Sequence, residues 1–264
     1  MAILGIDVGG SGIKGAPVDI DTGGLLAERQ RVPTPQPSTP AAVAEVIAGM
    51  VTGFGWTGHV GVTYPGVVKA GVTLTAANVD PGWIGTDADD LLTRATGCPV
   101  TMLNDADAAG LAEVRYGAGQ GHPGVVIVIT LGTGIGSALF FDGRLLPNTE
   151  LGHLELRGKD AELRAAARVR DTKKLSWAAY ASRLQEYLDM LDKLLWPDLV
   201  ILGGGISAKA ERWLPLLRCR PELRAAALAN QAGIVGAALA AHLVGDRKVT
   251  VSGAAVVTNA GGPA

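Results

Sequence analysis

Residues 3–20 read ILGIDVGGSGIKGAPVDI, which is an apolar run, a glycine-rich turn and a second apolar run. This pattern predicts strands over Ile3–Val8 and Ile13–Ile20, joined by a turn at Gly9–Gly12. The stretch also matches G-x-G-x-x-G, but a dinucleotide-binding loop opens a helix, whereas strand-like sequence containing Pro17 follows here. This stretch is therefore predicted to be a β-hairpin and not a Rossmann unit.

The hairpin pattern recurs in the second half of the chain. Residues 125–141 read VVIVITLGTGIGSALFF, and residues 129–133 align with residues 6–10 as strand and glycine turn. A period this long indicates two similar lobes, each presenting a glycine hairpin to a shared cleft. We expect a small lobe over residues 1–105 completed by a helix over about 231–244, a large lobe over 106–230, and a flexible tail over 245–264.

Composition and charge argue against several classes of protein. The 264 residues carry a net charge of −2 and a pI near 6.1, so no overall basic field favours a nucleic acid or an anionic membrane surface. No run approaches the roughly 18 apolar residues of a membrane helix, and the first residues lack the cationic start of a signal peptide. Cys98 and Cys219 show no metal-ligand spacing. These features predict a reduced, cytoplasmic protein.

The glycine turns suit phosphate binding. Without side chains in the turn, backbone N–H groups can approach an anion closely, and Lys14 adds a positive charge just beyond the first turn. Asp7, at the end of the first strand, points into the same region, and its carboxylate could hold Mg²⁺ through water. One such hairpin could be an ordinary turn. Two at matching positions, with Gly203–Gly205 before a helix predicted from about Ala208, favour a phosphate site.

A candidate base lies at a strand–helix junction. Val100–Leu103 is predicted to be a short strand and Ala106–Tyr116 a helix, which places Asn104 and Asp105 between them. A carboxylate there can accept the proton of an acceptor hydroxyl while the neighbouring amide orients the acceptor. The alternative is that Asp105 only caps the helix, a position that favours aspartate. Asp107 is predicted to be structural.

Five motifs resemble those of ROK-family sugar kinases and occur in the same order. They are Asp7-x-Gly9-Gly10-x-x-x-Lys14, Asn104-Asp105-Ala106-Asp107, Leu131-Gly132-Thr133-Gly134-Ile135-Gly136, Glu150-Leu151-Gly152-His153 and Gly203-Gly204-Gly205-Ile206. The resemblance spans about residues 3–243. It implies an α/β, two-lobed, actin-like ATPase fold of the hexokinase and ribonuclease H type, with the active-site cleft between the lobes.

The resemblance also implies roles for residues. Asp105 would be the catalytic base, and Mg²⁺ the cofactor, held by Asp7 through water. The donor phosphates would be bound by Asp7, Gly9, Gly10, Ser11, Gly12, Lys14, Gly132, Thr133, Gly134, Gly204 and Gly205. The sugar would be bound by Asn78, Asn104, Asp105, Glu150, His153 and Glu162. A carboxylate and an imidazole can each bridge adjacent sugar hydroxyls, which suits Glu150 and His153.

The segment after His153 departs from the family pattern. Most ROK proteins carry a cysteine cluster there that binds structural zinc, whereas residues 153–162 read HLELRGKDAE, so no zinc site is expected. In lacking the cysteine cluster, this sequence resembles the actinobacterial polyphosphate glucokinases and their glucomannokinase relatives. Residues 157–174, which include a helix predicted near Ala161–Arg170, hold seven Lys or Arg against three acids. That excess could guide a polyanion to the cleft, or it could be a solvated helix face.

The leading expectation is transfer of a terminal phosphate from inorganic polyphosphate, and also from ATP, to the 6-hydroxyl of glucose and possibly of mannose. The alternatives are a strictly ATP-dependent hexokinase acting on glucose, mannose, fructose or an N-acetylated hexose, and a non-catalytic sugar sensor. ROK repressors carry an N-terminal helix-turn-helix domain, for which a first strand at Ile3 leaves no room. The resemblance further implies a homodimer.

Overall fold

Two five-stranded sheets with the same connectivity form the framework of the protein. The computed structural model describes residues 1–76 and 79–252, with backbone only for 246–252. The strands are β1 (Ala2–Gly9), β2 (Gly12–Asp19), β3 (Gln30–Val32), β4 (Val60–Tyr64), β5 (Val68–Lys69), β6 (Val72–Thr73), β7 (Val100–Asn104), β8 (Val125–Leu131), β9 (Ile135–Phe141), β10 (Arg144–Leu146), β11 (Glu155–Leu156), β12 (Lys159–Asp160), β13 (Leu199–Gly203) and β14 (Glu222–Ala225).

Helices connect and cover these sheets. They are α1 (Pro40–Gly53), α2 (Ala88–Thr96), α3 (Asp105–Tyr116), α4 (Glu162–Ala165), α5 (Ala167–Thr172), α6 (Trp177–Leu195) and α7 (Ala232–Ser252). Short 3₁₀ segments lie at Pro81–Trp83, Leu151–His153, Gly205–Arg212, Leu214–Leu216 and Ala229–Gln231. None of the described helices is both long enough and apolar enough to cross a membrane.

The two sheets repeat one plan. The first has the order β3-β2-β1-β4-β7 and the second the order β10-β9-β8-β13-β14. In each, three antiparallel strands from consecutive hairpins are extended by two parallel strands. Because the strands alternate with helices in this way, the chain is an α/β protein, and its repeat is the one that the two glycine hairpins predict.

Two helices lie between the sheets. Helix α7 packs on β1 and β4 of the first sheet, α3 packs on β8 and β9 of the second, and α3 and α7 pack on each other. On the outer faces, α1 and α2 cover the first sheet and α4 to α6 cover the second, each over its own apolar core. The beginnings of α3 and α7 therefore meet between the two sheets.

Glycines allow this central packing because the backbones touch. A Cβ atom at Gly61 of β4 would lie 1.8 Å from the carbonyl oxygen of Ala237 on α7. A Cβ atom at Gly236 of α7 would lie 1.7 Å from the carbonyl oxygen of Ala108 on α3. Both neighbours are backbone atoms, which cannot swing aside as a side chain can. The close spacing of α7 from both β4 and α3 therefore depends on glycine at positions 61 and 236.

Several elements differ from the sequence-based expectation. The helix predicted near Ala161–Arg170 is broken at Ala166, which is extended at ψ 153°, into α4 and α5. The helix predicted from about Ala208 is a 3₁₀ segment that starts at Gly205 and kinks at Lys209. Helix α7 continues to Ser252, so the predicted tail is helical in its first residues, and residues 253–264 lie outside the described chain.

Gly236→Ala should destabilise the protein by more than about 3 kcal/mol, because the added methyl group would force α7 away from α3. Urea unfolding followed by circular dichroism measures the change in the free energy of unfolding.

Gly49→Ala is the matched control. Gly49 lies on the exposed face of α1, and a Cβ atom there would meet nothing within 4 Å. Since alanine favours a helix over glycine by about 1 kcal/mol, this variant should be more stable than the wild type. Equal effects of the two substitutions would contradict the packing argument.

Candidate active site

A cleft of about 170 Å³ opens where the two sheets and the two central helices meet. Its walls come from the end of β1, the start of α3, β8, the end of β13 and the start of α7. The lining includes Asp7, Lys14, Asp105, Glu113, Thr130, Gly203, Gly204, Asn230 and Gly233. The structure thus brings together residues that lie more than 200 positions apart in the sequence.

Asp7 is held in place from three sides. Thr63 of β4 donates a hydrogen bond from Oγ1 to Asp7 Oδ1 at 3.0 Å, and the same hydroxyl accepts the Val8 N–H at 2.9 Å. Lys14, paired with Asp7 across the β1–β2 hairpin, places its Nζ 3.6 Å from Asp7 Oδ2. Gly233 of α7 packs against the carboxylate, since a Cβ atom there would lie 2.7 Å from Oδ1. Thr63 is a site residue that the sequence did not reveal.

Three glycines in the loops around the cleft have open space beside them. A Cβ atom at Gly10, Gly132 or Gly205 would meet no atom within 4 Å, and none of the three has positive φ. Neither backbone strain nor packing within the chain explains glycine at these positions. Side chains there would instead occupy the space that a ligand needs to approach the backbone N–H groups.

At neighbouring positions, contacts within the protein explain why the residue is glycine. Gly204 has φ of 83°, and a Cβ atom there would also collide with the backbone of Leu131. At Gly134 a Cβ atom would lie 2.4 Å from Glu162 Oε2, which also accepts the Ile135 N–H at 3.2 Å. Ser11 and Thr133 lie exposed on the two hairpin turns.

Asn104, and not Asp105, is the N-cap of α3. The Asn104 Oδ1 accepts the N–H groups of Ala106 at 2.8 Å and Asp107 at 3.0 Å, and its Nδ2 donates to Gly66 O at 3.1 Å. The interpretation of Asp105 as a mere cap is therefore wrong, because the cap position is already filled. Most of the Asn104 amide is engaged within the protein, which leaves one N–H for a ligand.

Asp105 is the first residue of α3 and faces the cleft. Burial, the nearby negative charge of Asp7 and, to a smaller extent, that of Glu150 together raise the pKa of its carboxyl group to about 7. A carboxylate with a pKa near 7 can accept a proton at neutral pH and still be present as the base. The position and the pKa both suit general-base chemistry.

Glu150 and His153 lie beside and in a single 3₁₀ turn, and Glu150 is close enough for its charge to affect Asp105. His153 Nδ1 lies 2.9 Å from Asp160 Oδ2, and its Nε2 lies 3.9 Å from Glu150 Oε2. The hydrogen bond to Asp160 raises the pKa of His153, and burial raises the pKa of Glu150. The negative charge of Glu162 raises both pKa values, so Glu162 is close to this pair as well as to the Gly134 turn.

A bridge that the sequence did not reveal anchors the segment before Glu150. Asn148 has φ of 58° and pairs with Val68 through both ends of its amide, at 2.9 Å each. Its backbone N–H donates to Asp107 Oδ2 at 2.7 Å. Asn148 thus ties the loop that carries Glu150 both to β5 and to the helix that carries Asp105.

Glu113 of α3 anchors the opposite wall. Its buried carboxylate accepts N–H groups from Ala227 at 3.0 Å, Leu228 at 2.7 Å and Ala118 at 3.0 Å. The first two residues lead directly into Asn230 and the start of α7, which line the cleft. Sequence alone gave no signal for this role, because Glu113 looks like any acidic residue on an amphipathic helix.

Two further expectations have separate outcomes. Asn78 lies outside the described residues. Among the seven basic residues of 157–174, Arg157 and Arg164 both bind the carboxylate of Glu186, at 3.0 and 2.6 Å, so one of these two positive charges is compensated within the protein. Among the described side chains, no three His, Cys, Asp or Glu form a group that could hold a metal ion by themselves.

Asp107→Asn should change how stability depends on pH. Asp107 is 2% exposed, its Oδ1 has no hydrogen-bond partner, and burial raises the pKa of the carboxyl to about 7. Since the folded pKa exceeds the unfolded value, the folded state holds the extra proton, and stability falls as pH rises from about 4 to 7. The variant should therefore be more stable than the wild type at pH 8 by about 2 kcal/mol, and not at pH 4.5.

The two stability curves can be measured by urea unfolding across this pH range. Asp90→Asn on the exposed face of α2 serves as the control and should leave the pH dependence of the wild type nearly unchanged. If Asp107→Asn and the wild type have parallel curves, Asp107 is not protonated in the folded protein.

Comparison with known proteins shows the family to which this chain belongs. The ROK family model matches residues 3–164. The polyphosphate glucokinase of Mycobacterium tuberculosis strain H37Rv is 57% identical over 238 residues, which cover 90% of each chain.

Solved structures agree. The inorganic polyphosphate/ATP-glucomannokinase from Arthrobacter sp. strain KM is 54% identical with a TM-score of 0.88, covering 92% of this chain and 99% of the other. A ROK family glucokinase from Streptomyces griseus, in complex with glucose and AMPPNP, is 26% identical with a TM-score of 0.78, covering 92% and 100%. These matches confirm the predicted fold, and this chain therefore belongs to the ROK family, among its sugar kinases.

Proposed function

We propose that this protein is a polyphosphate-dependent glucokinase, which transfers the terminal phosphoryl group of inorganic polyphosphate, and also of ATP, to the 6-hydroxyl of glucose. The observation that carries the proposal is Asp105, a base with a pKa near 7 at the start of α3, facing glycine loops with open space. The similarity to the mycobacterial polyphosphate glucokinase supports polyphosphate as the donor.

In the reaction, the Asp105 carboxylate accepts the proton of the sugar hydroxyl. The hydroxyl oxygen then forms a bond to the terminal phosphorus, and the bond from that phosphorus to its bridging oxygen breaks. The bond electrons leave with the bridging oxygen, so the products are glucose 6-phosphate, the donor shortened by one phosphate, and a proton first held on Asp105. Positioning and charge neutralisation supply the remaining catalysis.

The donor phosphates would lie against Gly10, Gly132 and Gly205, where the chain leaves room for them, with Lys14 and Ser11 beside the first loop. Gly9, Gly12, Thr133, Gly134 and Gly204 complete the loops. Helix α7 begins at the same cleft, and the positive end of its dipole favours an anion there. The donor is thus held mainly by backbone groups, which do not distinguish ATP from polyphosphate.

The residues present fit Mg²⁺ between the two substrates. Asp7 and Asp105 place two carboxylates in one cleft, where the charge of Asp7 disfavours that of Asp105, and oxygen atoms are the ligands that Mg²⁺ prefers. Asp7 would hold the ion through water. When bound, Mg²⁺ would neutralise charge on the transferred phosphoryl group.

On the acceptor side, Glu150 and His153 would hydrogen-bond adjacent hydroxyls of glucose or mannose, with Asn104, Asn78 and Glu162 as further contacts. The Asn148 bridge would hold Glu150 at a fixed distance from Asp105. We further expect a homodimer in the cytoplasm, with the small lobe over residues 1–105 and the final helix, and the large lobe over 106–230.

A direct assay tests the function. Purified protein with glucose and Mg²⁺ should form glucose 6-phosphate with long-chain polyphosphate and with ATP, measured by coupled reduction of NADP⁺. Product from ATP alone would support the strictly ATP-dependent hexokinase instead, and no product from either donor would overturn the proposal. Mannose, fructose and N-acetylglucosamine in place of glucose define the range of acceptors.

Asp105→Asn should lower kcat by at least about 10³-fold, because the amide cannot accept the proton, while the Kd for glucose changes by less than about threefold. Coupled assays and isothermal titration calorimetry measure the two quantities. Retained turnover would show that Asp105 is not the base.

The wild-type pH profile gives a second measurement. Since only unprotonated Asp105 acts as base, kcat/KM for glucose should rise about tenfold per pH unit below pH 7 and level off above it. Residual activity of Asp105→Asn should lack this rise.

A further inference from the structure

The basic residues between His153 and α6 fall into two groups. Arg157 and Arg164 share the carboxylate of Glu186, and each donates two hydrogen bonds to it, so part of their charge and of their N–H groups is used within the protein. Apart from Lys159 on β12, the remaining ones lie on α5 and just after it. The guanidinium group of Arg168 is exposed and makes no hydrogen bond or ion pair in the described part of the protein.

Two arginine side chains lie against one aromatic ring, that of Trp177, which follows α5 in the sequence. The Arg170 guanidinium lies 3.6 Å from the centre of the Trp177 ring, and the Arg212 guanidinium lies 5.9 Å from the same centre. The carboxylate beside them is that of Asp171, which accepts a hydrogen bond from Arg170 Nη1 at 2.9 Å. Arg170 Nε is buried without a hydrogen-bond partner. Two positive charges held together beside one carboxylate leave a net positive charge, which favours an anion.

The two segments that carry these arginines both begin at glycine loops proposed to bind the donor phosphates. The backbone N–H of Arg168 donates to Gly132 O at 3.0 Å, which fixes the first turn of α5 against the second glycine hairpin. Arg212 ends the 3₁₀ segment that begins at Gly205, so at most about 16 Å of chain separates it from the third glycine loop. The cluster is therefore reached from the cleft along either segment.

The distribution of charge also favours an anion at these two segments over the cleft itself. Residues 167–174 and 205–212 together hold six Lys or Arg and two acids, although the whole chain has more acidic than basic residues. In the cleft itself, Lys14 is the one cation among the described lining residues, which also include three acids.

We infer that Arg168, Arg170 and Arg212, with Trp177, form a distal basic site that binds the part of the polyphosphate chain lying beyond the phosphates in the cleft. This inference rests on the proposed function. Arginine suits the role because its planar group can stack on Trp177 and still present N–H groups to phosphate oxygens. A donor of three phosphates would be held by the cleft alone, whereas a long chain would reach both sites.

The test compares donors of different length. In the Arg168→Ala/Arg212→Ala double variant, the KM for long-chain polyphosphate should rise about tenfold, as expected for two exposed arginine–phosphate contacts of a few-fold each. The KM values for tripolyphosphate, ATP and glucose should stay within about twofold of the wild type. The dependence of the long-chain KM on salt should weaken in the variant, since fewer ionic contacts remain.

Arg94→Ala is a control for the loss of an arginine far from the cluster, because it removes one positive charge, ion-paired with Asp90, from the exposed face of α2 on the first sheet and should change no KM. Arg29→Ala tests whether the polyphosphate chain leaves the cleft by another route. Arg29 lines a second opening of about 500 Å³ that shares Ala229 and Asn230 with the cleft.

Three outcomes would overturn the inference. Equal increases in KM for tripolyphosphate and the long chain would place the two arginines at the transferred phosphate. An unchanged long-chain KM would show that the chain does not contact them, and a long-chain effect of Arg29→Ala alone would place it in the second opening. Failure of the proposed function would be seen separately, since the wild type itself would then make no product from polyphosphate.

Discussion

The contact of α3 with α7 between the two sheets sets the position of every group in the cleft. The two helices approach until the Gly236 backbone touches that of Ala108, and α7 lies equally close to β4 at Gly61. Because these contacts are between backbones, they leave no freedom for side chains to repack and shift the helices. Asp105 at the start of α3 and Gly233 at the start of α7, which packs on Asp7, are therefore fixed relative to each other.

Helix α3 also distributes its acids over separate tasks. Asp105 faces the cleft, Asp107 holds the loop before Glu150 through Asn148, and Glu113 holds the wall that leads to Asn230. The first would act on the substrate, and the other two fix the walls on either side of it. Burial of Asp105 and Asp107 lowers stability at neutral pH, since both pKa values are raised to about 7.

The sequence allowed the fold and the core of the site to be predicted because both depend on local patterns. A glycine turn between two apolar runs is readable along the chain, and so is a carboxylate between a strand and a helix. Thr63, Asn148 and Glu113 were missed because their roles depend on partners 56, 80 and 115 positions away. The sequence of the basic segment likewise does not show that Glu186 on another helix pairs with both Arg157 and Arg164.

The balance of charge in the cleft bears on how a polyanion could be held. Among the lining residues that the structure describes, Asp7, Asp105 and Glu113 stand against one lysine, and that lysine, Lys14, is itself 3.6 Å from Asp7. Such a cleft can bind a terminal phosphate through backbone N–H groups and Mg²⁺, but it offers little attraction to each further phosphate of a long chain. Attraction for the length of the polymer therefore has to come from outside the cleft, where carboxylates are not needed for the reaction. In the proposed arrangement, separating the two surfaces would let Asp105 keep a raised pKa, which a dense group of cations beside it would lower.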